Sequence, residues 1–374
     1  MDKKRRQFWK RFDYILFFAS VFLSIYGFII ISSATASKKF GSMPFLKQQI
    51  TAFILGLILI GIILFLDYDF FGKLYIPIYV ICNLLLLAVL IFGYGREQWG
   101  ARSWLSILGF SFQPSEIVKV GMILSIAKFI DKNQESINEL KTLLKVIIFA
   151  SIPITLIAIQ PDFGTAMVFV FFTAIMLFVA GLNYKYILFS LIAGFASLPV
   201  LWFSWDKYQK KRILGFITYL TNPSADTSGD LYQLDQAITA IGSGKIFGRG
   251  LFNGVQTQYN YLPVKESDFI FSVIVEELGL LGGLLLILLY ITLLIRLISI
   301  AKNTSDLFGS LIPIGVASMM LFHIFQNIGM NMGLLPITGV PLPFVSYGGT
   351  FLLVNMICIG LSLSVGVKKE GLNF

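Results

Sequence analysis

The chain has 374 residues, of which 56% are hydrophobic and only 13% charged, with a formal net charge of +9. A soluble domain carries about 25% charged residues, and apolar runs of the ~20 residues that a spanning helix needs recur throughout, so a soluble globular protein is excluded, and continuous rather than alternating runs exclude an outer-membrane barrel. The basic excess fits the topology signal of a membrane protein rather than nucleic-acid binding, and two cysteines inside apolar runs, Cys82 and Cys358, leave no disulfide framework and no cysteine metal site.

The N-terminal stretch "MDKKRRQFWKRFDYILFF" has the charge pattern of a signal peptide, but no small-residue cleavage site clearly follows, so it reads as a retained first helix. Ten spans follow from hydropathy: Tyr14–Ile31, Gln49–Leu66, Leu74–Phe92, Phe112–Ile130, Val146–Ile159, Gly164–Leu182, Tyr186–Phe203, Asp268–Ile295, Phe308–Ile328 and Thr350–Val367. The expected fold is an all-α polytopic membrane protein, residues 1–374 forming one integral membrane domain. Leaving out the long loop 204–267, sixteen Lys and Arg fall on the N-terminal side of the bilayer and five on the other. By the positive-inside rule both termini are cytoplasmic, and the large loop between spans seven and eight is extracytoplasmic.

Three outer segments are unusual. Gly93–Ser111 is half polar and is expected as a short interfacial helix anchored by Trp99 and Trp104. Within the large loop, "DLYQLDQAITAIGSG" reads as a helix stopped by glycine. Asn331–Gly349, "NMGLLPITGVPLPFVSYGG", is apolar yet carries three prolines and four glycines, which suits a re-entrant or tightly packed loop shielded from lipid.

Polar residues within or beside spans are costly and therefore informative. Glu116 and Lys119 in "FQPSEIVKVG" share a helix face three residues apart, either as an ion pair that fixes packing or as a functional pair. Pro114 suits the first turn of that helix. Asp162 in "IQPDFGTAM" fits a tight turn in which it caps the next helix. Asp268 in "YLPVKESDFIF" has two uses: a helix start, with Ser267 as N-cap, or a general base in a water-filled cleft. At 100° per residue, Glu276 and Glu277 lie about 80° and about 180° from the Asp268 face, so the three acids form no single cluster, and the two glutamates read as structural groups meeting neighbouring helices. His323 has no metal-ligand partner at i+4 and reads as a packed, hydrogen-bonded histidine. No phosphate loop or dinucleotide fingerprint occurs.

The motifs "RSWLSILGFSFQPSEIVKV", "QPDFGTAM", "YQLDQAITAIGSGKIFGRGLFNGVQTQYNYLPVKESDFIFSVIVEELG" and "NIGMNMGLLPITGVPLPFVSYGGT", in this order, resemble the SEDS family (shape, elongation, division and sporulation) over about Phe12 to Val367. "GVQTQYNYLP" and "NIGMNMGLLPITG" resemble its RodA-type elongation branch rather than its FtsW-type division branch. The resemblance implies ten spans, and a peptidoglycan glycosyltransferase that polymerises lipid II at the outer face of the bacterial cytoplasmic membrane. It also implies a class B penicillin-binding protein as partner, alongside the elongation machinery.

The family's essential aspartate falls on Asp268, and its fourth-span Glu and Lys fall on Glu116 and Lys119. Ser267 stands where the family usually has Thr, Glu266 where it often has His, and Val275 where it usually has Gly. In the reaction so implied, Asp268 takes the proton of the acceptor hydroxyl, and Lys119, Arg102, Lys265 and a divalent cation (Mg or Mn) are the candidates for neutralising the leaving pyrophosphate. Glu116, Asp162 and Ser346 complete the expected substrate-binding set. Two other readings stand beside this one: a lipid II flippase, and a scaffold that only activates its penicillin-binding partner.

Overall fold

In hydrocarbon every backbone N–H and C=O must be satisfied within the protein, so long apolar segments settle as helices. The computed structural model of the chain, which describes residues 10–38, 41–95, 103–107, 110–190, 192, 194, 196, 207–221 and 230–368, is built accordingly. Its helices, in chain order, are α1 (Tyr14–Ala34), α2 (Met43–Phe65), the short α3 (Tyr68–Lys73), α4 (Tyr75–Phe92), α5 (Pro114–Lys132), α6 (Leu140–Ile159), α7 (Phe163–Val179), α8 (Lys207–Thr221), α9 (Asp230–Gly244), the one-turn α10 (Val255–Gln258), α11 (Ile270–Lys302), α12 (Leu307–Asn331) and α13 (Gly349–Val367). Seven of them, α1, α2, α4, α6, α11, α12 and α13, are long and apolar enough to cross a membrane. Seven of the ten expected spans fall on these helices; Phe112–Ile130 and Gly164–Leu182 fall on α5 and α7, which are not among the seven, and Tyr186–Phe203 lies largely outside the described residues, of which 184–190 are helical.

The helices sort into an inner and an outer set. The apolar windows of α12 and α13 are 67% and 78% buried, whereas that of α4 is only 17% buried and so faces the lipid. Helix α12 packs against α5, α7 and α11, and α13 packs along α2. Helix α5, the most polar of the inner helices, is buried along nearly its whole length. Polar caps tie the ends together. Asp13 accepts from Leu16 N at the start of α1 and pairs with Arg296 of α11 at 2.6 Å. Asp306 accepts from Gly309 N at the start of α12 and from the Tyr68 hydroxyl of α3.

One expectation is corrected. The segment expected as an interfacial helix carries a hairpin instead: β1 (Leu105–Ile107) pairs antiparallel with β2 (Phe110–Phe112), extended by a bridge between Tyr94 and Trp104, while Trp99 and Arg102 lie outside the described residues. "LSILGFSF" alternates apolar and polar residues with period two around a glycine, which is a strand pattern and not a helical one.

The eighth span is not one uninterrupted rod. Helix α11 breaks at Gly279, at φ 70° and ψ −169°. The main chain of 245–250 lies against the break. Arg249 N and Gly250 N donate to the carbonyls of Glu276 and Glu277, each at 2.9 Å, and Leu280 N and Leu281 N donate to Lys245 O and Ile246 O. The groups released by the break thus find partners in a chain segment some thirty residues upstream. That backbone conformation is essentially restricted to glycine, and a Cβ on Gly279 would collide with the main chain of Ile246 and Gly248. Gly279→Ala is therefore expected to lower thermal stability in detergent by the equivalent of about 1–3 kcal/mol; an unchanged melting temperature would show that the break carries no such constraint.

Candidate active site

The chain approaches α11 through a tight turn in which Val264 O accepts from the amides of Ser267 and Asp268, both at 3.2 Å. The N-cap position falls on Phe269, which makes no side-chain capping bond. The expected Ser267 cap is thus replaced: Ser267 Oγ donates to Asp268 Oδ1 at 3.1 Å, so the hydroxyl turns to the carboxylate and not to the helix amides. Asp268 is half-buried. Its main-chain oxygen accepts from two amides of α12, Asn327 Nδ2 and Asn331 Nδ2, each at 2.9 Å. Asp268 Oδ2 lies beside Gly339, 3.4 Å from where a Cβ would stand, at a φ of +70°.

Gly339 belongs to the Pro- and Gly-rich segment 332–348, which has no regular structure yet is buried at Ile337, Val340, Leu342, Phe344, Val345 and Ser346. Its carbonyls are satisfied by side chains from the surrounding helices: Pro336 O by Gln326, Val340 O by Asn327, Pro343 O by the Tyr290 hydroxyl, and Ser346 O by Gln49. This is how irregular backbone persists at membrane depth. Ser346 Oγ donates to Ser267 O at 2.6 Å and accepts from Leu342 N at 2.8 Å, so it fastens the segment to the residue preceding Asp268. Gly27 of α1 admits the segment closely: a Cβ there would stand 2.8 Å from Phe344 O and Val345 Cα. Gly27→Ala is expected to push the segment outward at a cost of about 1–3 kcal/mol, measurable as a lower melting temperature; full stability would mean the segment has room to yield.

On the far side of this segment lies the α5 pair. Lys119 Nζ sits 2.8 and 2.9 Å from the two oxygens of Glu116, with the residues 1% and 4% exposed. The ammonium also stands 3.0 Å from His323 Nε2, while His323 Nδ1 stands 3.0 Å from Pro341 O. A carbonyl only accepts, so Nδ1 carries the hydrogen and Nε2 accepts from Lys119. The result is a buried relay from Glu116 through Lys119 and His323 to the Pro341 carbonyl, two residues from Gly339. Asp162 caps α7 by accepting from Thr165 N and Oγ1, and Gln113, at the N-cap of α5, donates to the same carboxylate. Gly164, in the first turn of α7, packs against Thr338 O. One short stretch is thus reached from three sides: at Thr338 by the helix that Asp162 caps, at Gly339 by Asp268, and at Pro341 by the Glu116–Lys119 pair through His323.

The remaining candidates point elsewhere. Lys265 is buried, and its ammonium donates to Ser37 Oγ, Asn260 Oδ1 and Thr257 O, turning away from Asp268 toward α1 and α10. Glu266 pairs with Lys38, so the negative charge next to Asp268 is compensated. Glu276 accepts from Gln256 N and from Thr257 N and Oγ1 at the start of α10, and Glu277 accepts from Ser33 Oγ of α1 at 2.6 Å and from Gln258. Arg102 lies outside the described residues.

Burial pulls the Lys265 ammonium down from the ordinary value of 10.5 to about 8, against the opposing pull of Glu266. The folded state then holds this proton less tightly than the unfolded chain, so the stability linked to Lys265 rises with pH between about 8 and about 10.5. The melting temperature of wild type is expected to gain more between pH 8 and pH 10 than that of Lys265→Met, measured in the same detergent. Equal gains would show that the charge is not held out of water.

The residues that hold Asp268, Asn327 and Asn331, are invisible to a search for charged groups. Their signal is present in "HIFQNIGMN", where His323, Asn327 and Asn331 recur every four residues in a mostly apolar helix. Among the described residues no three of His, Cys, Asp and Glu come together as metal ligands.

Similarity to known proteins is extensive. Residues 14–371 match the family model FTSW_RODA_SPOVE, described as "Cell cycle protein". Stage V sporulation protein E of Bacillus subtilis is 37% identical, covering 94% of this chain and 96% of its own. The probable peptidoglycan glycosyltransferase FtsW of Geobacter sulfurreducens is 33% identical with 97% of each covered, and the peptidoglycan glycosyltransferase MrdB of Escherichia coli is 33% identical with 100% and 98% covered. Identity is thus nearly level across sporulation, FtsW and MrdB proteins and does not separate the branches. Among solved structures, a chain described under "Structural coordination of polymerization and crosslinking by a peptidoglycan synthase complex" superposes with a TM-score of 0.82 at 29% identity, covering 96% of this chain and 98% of that one. The Thermus thermophilus rod shape determining protein RodA gives 0.72 at 28% identity, with 96% and 98% covered. A multi-pass bundle of apolar helices, matched from Tyr14 to near its C-terminus by one family model, places the chain among the FtsW/RodA/SpoVE proteins, the SEDS family of the bacterial inner membrane, to which it belongs.

Proposed function

We propose that the chain is a peptidoglycan glycosyltransferase that joins lipid II units into β-1,4 glycan strands at the outer face of the membrane, in the elongation branch of its family. The names of the FtsW and MrdB relatives support the activity, and the "NIGMNMGLLPITG" motif supports the branch. In this reading ten spans, the seventh over Tyr186–Phe203, leave both termini in the cytoplasm and open the Asp268 turn to the outside. The observation that carries the reading is exposure. Glu116, Glu276 and Glu277 are buried, whereas Asp268 is only half-buried, at the mouth of α11, and its main-chain oxygen is held by two amides of α12.

Asp268 removes the proton from the 4-hydroxyl of the acceptor GlcNAc as that oxygen attacks C1 of the donor MurNAc. The C1–O bond to the pyrophosphate breaks, and undecaprenyl pyrophosphate leaves with the bonding pair. One displacement inverts the α-linked donor to a β linkage, so one base suffices. The leaving group is already an anion and needs counter-charge more than a proton. Lys119 and Lys265 have their ammonium groups bound to the protein in this structure, and Arg102, the third cation of the expected set, lies outside the described residues. A magnesium or manganese ion bound to the substrate's phosphate oxygens would supply further counter-charge. The partner is a class B penicillin-binding protein that crosslinks the strands, consistent with the synthase complex whose polymerising chain superposes on this one.

The test is polymerisation of fluorescent lipid II by the purified chain, alone and with the penicillin-binding partner. Glycan ladders on a gel are expected in both, stronger in the complex. Movement of lipid II across vesicles with no polymer in either sample would overturn the reading in favour of transport.

A further inference from the structure

We propose that His323, Asn327 and Asn331 form a positioning ladder on α12 that fixes Asp268 relative to the buried Glu116–Lys119 pair. The proposal rests on the reading of Asp268 as the base and adds three residues to its machinery. They stand at i, i+4 and i+8, within about 80° of one helix face and over about 12 Å of rise. All three are buried, at 2%, 0% and 0% exposure. Buried polar side chains persist where they are hydrogen-bonded, and here every rung bonds a backbone carbonyl that regular structure leaves unpaired.

The first rung, His323, accepts from Lys119 and donates to Pro341 O. The second, Asn327, spends both amide hydrogens on two carbonyls, Val340 O and Asp268 O, each at 2.9 Å. The third, Asn331, donates to Asp268 O, while its own oxygen accepts from Ser272 N and Oγ in the first turn of α11.

The second rung decides the argument. One planar amide holds Val340 and Asp268 together, so the distance between the two backbones is set by the width of a single –NH2 group. The third rung supplies a second donor to the same Asp268 oxygen, and two donors on one carbonyl fix its direction as well as its place. Satisfying the 332–348 segment alone would need neither bond to Asp268. Any slip of the ladder moves the Asp268 main chain and carries the carboxylate away from the Gly339 turn. Displacements of about 1 Å at a reacting group cost up to about 10²-fold in rate.

The experiment has two arms. In the first, kcat and KM for fluorescent lipid II are compared across variants. Asn327→Ala and His323→Leu are expected to lose about 10- to 100-fold in kcat with KM little changed. His323→Gln, whose amide oxygen still accepts from Lys119 and whose –NH2 still donates to Pro341 O, is expected to stay near wild type. Asn331→Ala, which leaves one donor on Asp268 O, should fall between them and guards against a variant that fails to fold.

The second arm needs no turnover. Asp268→Cys is labelled with a membrane-impermeant maleimide; the native Cys82 and Cys358 are buried and give no background. Adding Asn327→Ala or Asn331→Ala is expected to change the labelling rate by about fivefold or more, because thiol reactivity follows exposure. Wild-type kcat in Asn327→Ala, or an unaltered labelling rate in both double variants, would overturn the ladder. A wild-type chain that makes no glycan would defeat the enzyme reading, while the labelling arm would still decide the ladder.

Discussion

Asp268→Asn is expected to abolish glycan polymerisation, a loss of about 10²–10⁴-fold or more for removal of a general base, while the protein folds and melts as wild type does. The geometry separates the two effects. Three bonds that hold this residue run to its main chain: Asn327 and Asn331 grip its carbonyl, and Val264 O takes its amide. An asparagine keeps all of these and still offers Oδ1 to Ser267 Oγ. What disappears is the carboxylate's charge and its capacity to take a proton. The measurement pairs a gel assay of lipid II polymerisation with size-exclusion and thermal-melt profiles. Polymerisation at the wild-type rate by a well-folded Asn variant would sink the assignment of the base.

The second large effect is on stability. Lys119→Met leaves the Glu116 carboxylate in a nearly sealed interior with no cation, and removes the donor to His323 Nε2. Removing one member of a buried ion pair costs about 3–5 kcal/mol, mostly because the other charge stays behind uncompensated. A marked fall in melting temperature is therefore expected, with a smaller fall for the double variant Glu116→Gln with Lys119→Met, in which no isolated charge remains. A single variant as stable as the double one would show that the pair contributes nothing as a pair.

The fold was largely legible because the solvent dictates it. A run such as "FILGLILIGIILFL" has only one way to satisfy its backbone in lipid, and it forms α2 without reference to the rest of the chain. The glycine-stopped helix of the large loop was also legible, as α9 ending at Gly244. The expectation of an interfacial helix fails at the described residues 104–107 and 110–112, whose period-two alternation on either side of Gly109 suits paired strands. The break at Gly279 could not have been read from "EELGLLGG". Glycine is common in membrane helices, and this one is forced to a positive φ only by the chain 245–250 packed against it.

The candidate site divides along the same line. Which residues are chemically unusual was set by the sequence alone: a carboxylate, an ion pair or a histidine stands out in an apolar chain because burying it is costly. Where each one turns was decided by tertiary structure, since that depends on partners distant in the chain. Lys265 and Asp268, three residues apart, are held by different neighbours: Ser37 and Asn260 take the Lys265 ammonium, and Asn327 and Asn331 the Asp268 main-chain oxygen. Lys119 and Pro341, more than two hundred residues apart, are joined through a single imidazole. Hydropathy is a local property that the bilayer reads directly, whereas a hydrogen bond needs two specific atoms within about 3 Å, and only the packed bundle brings those atoms together.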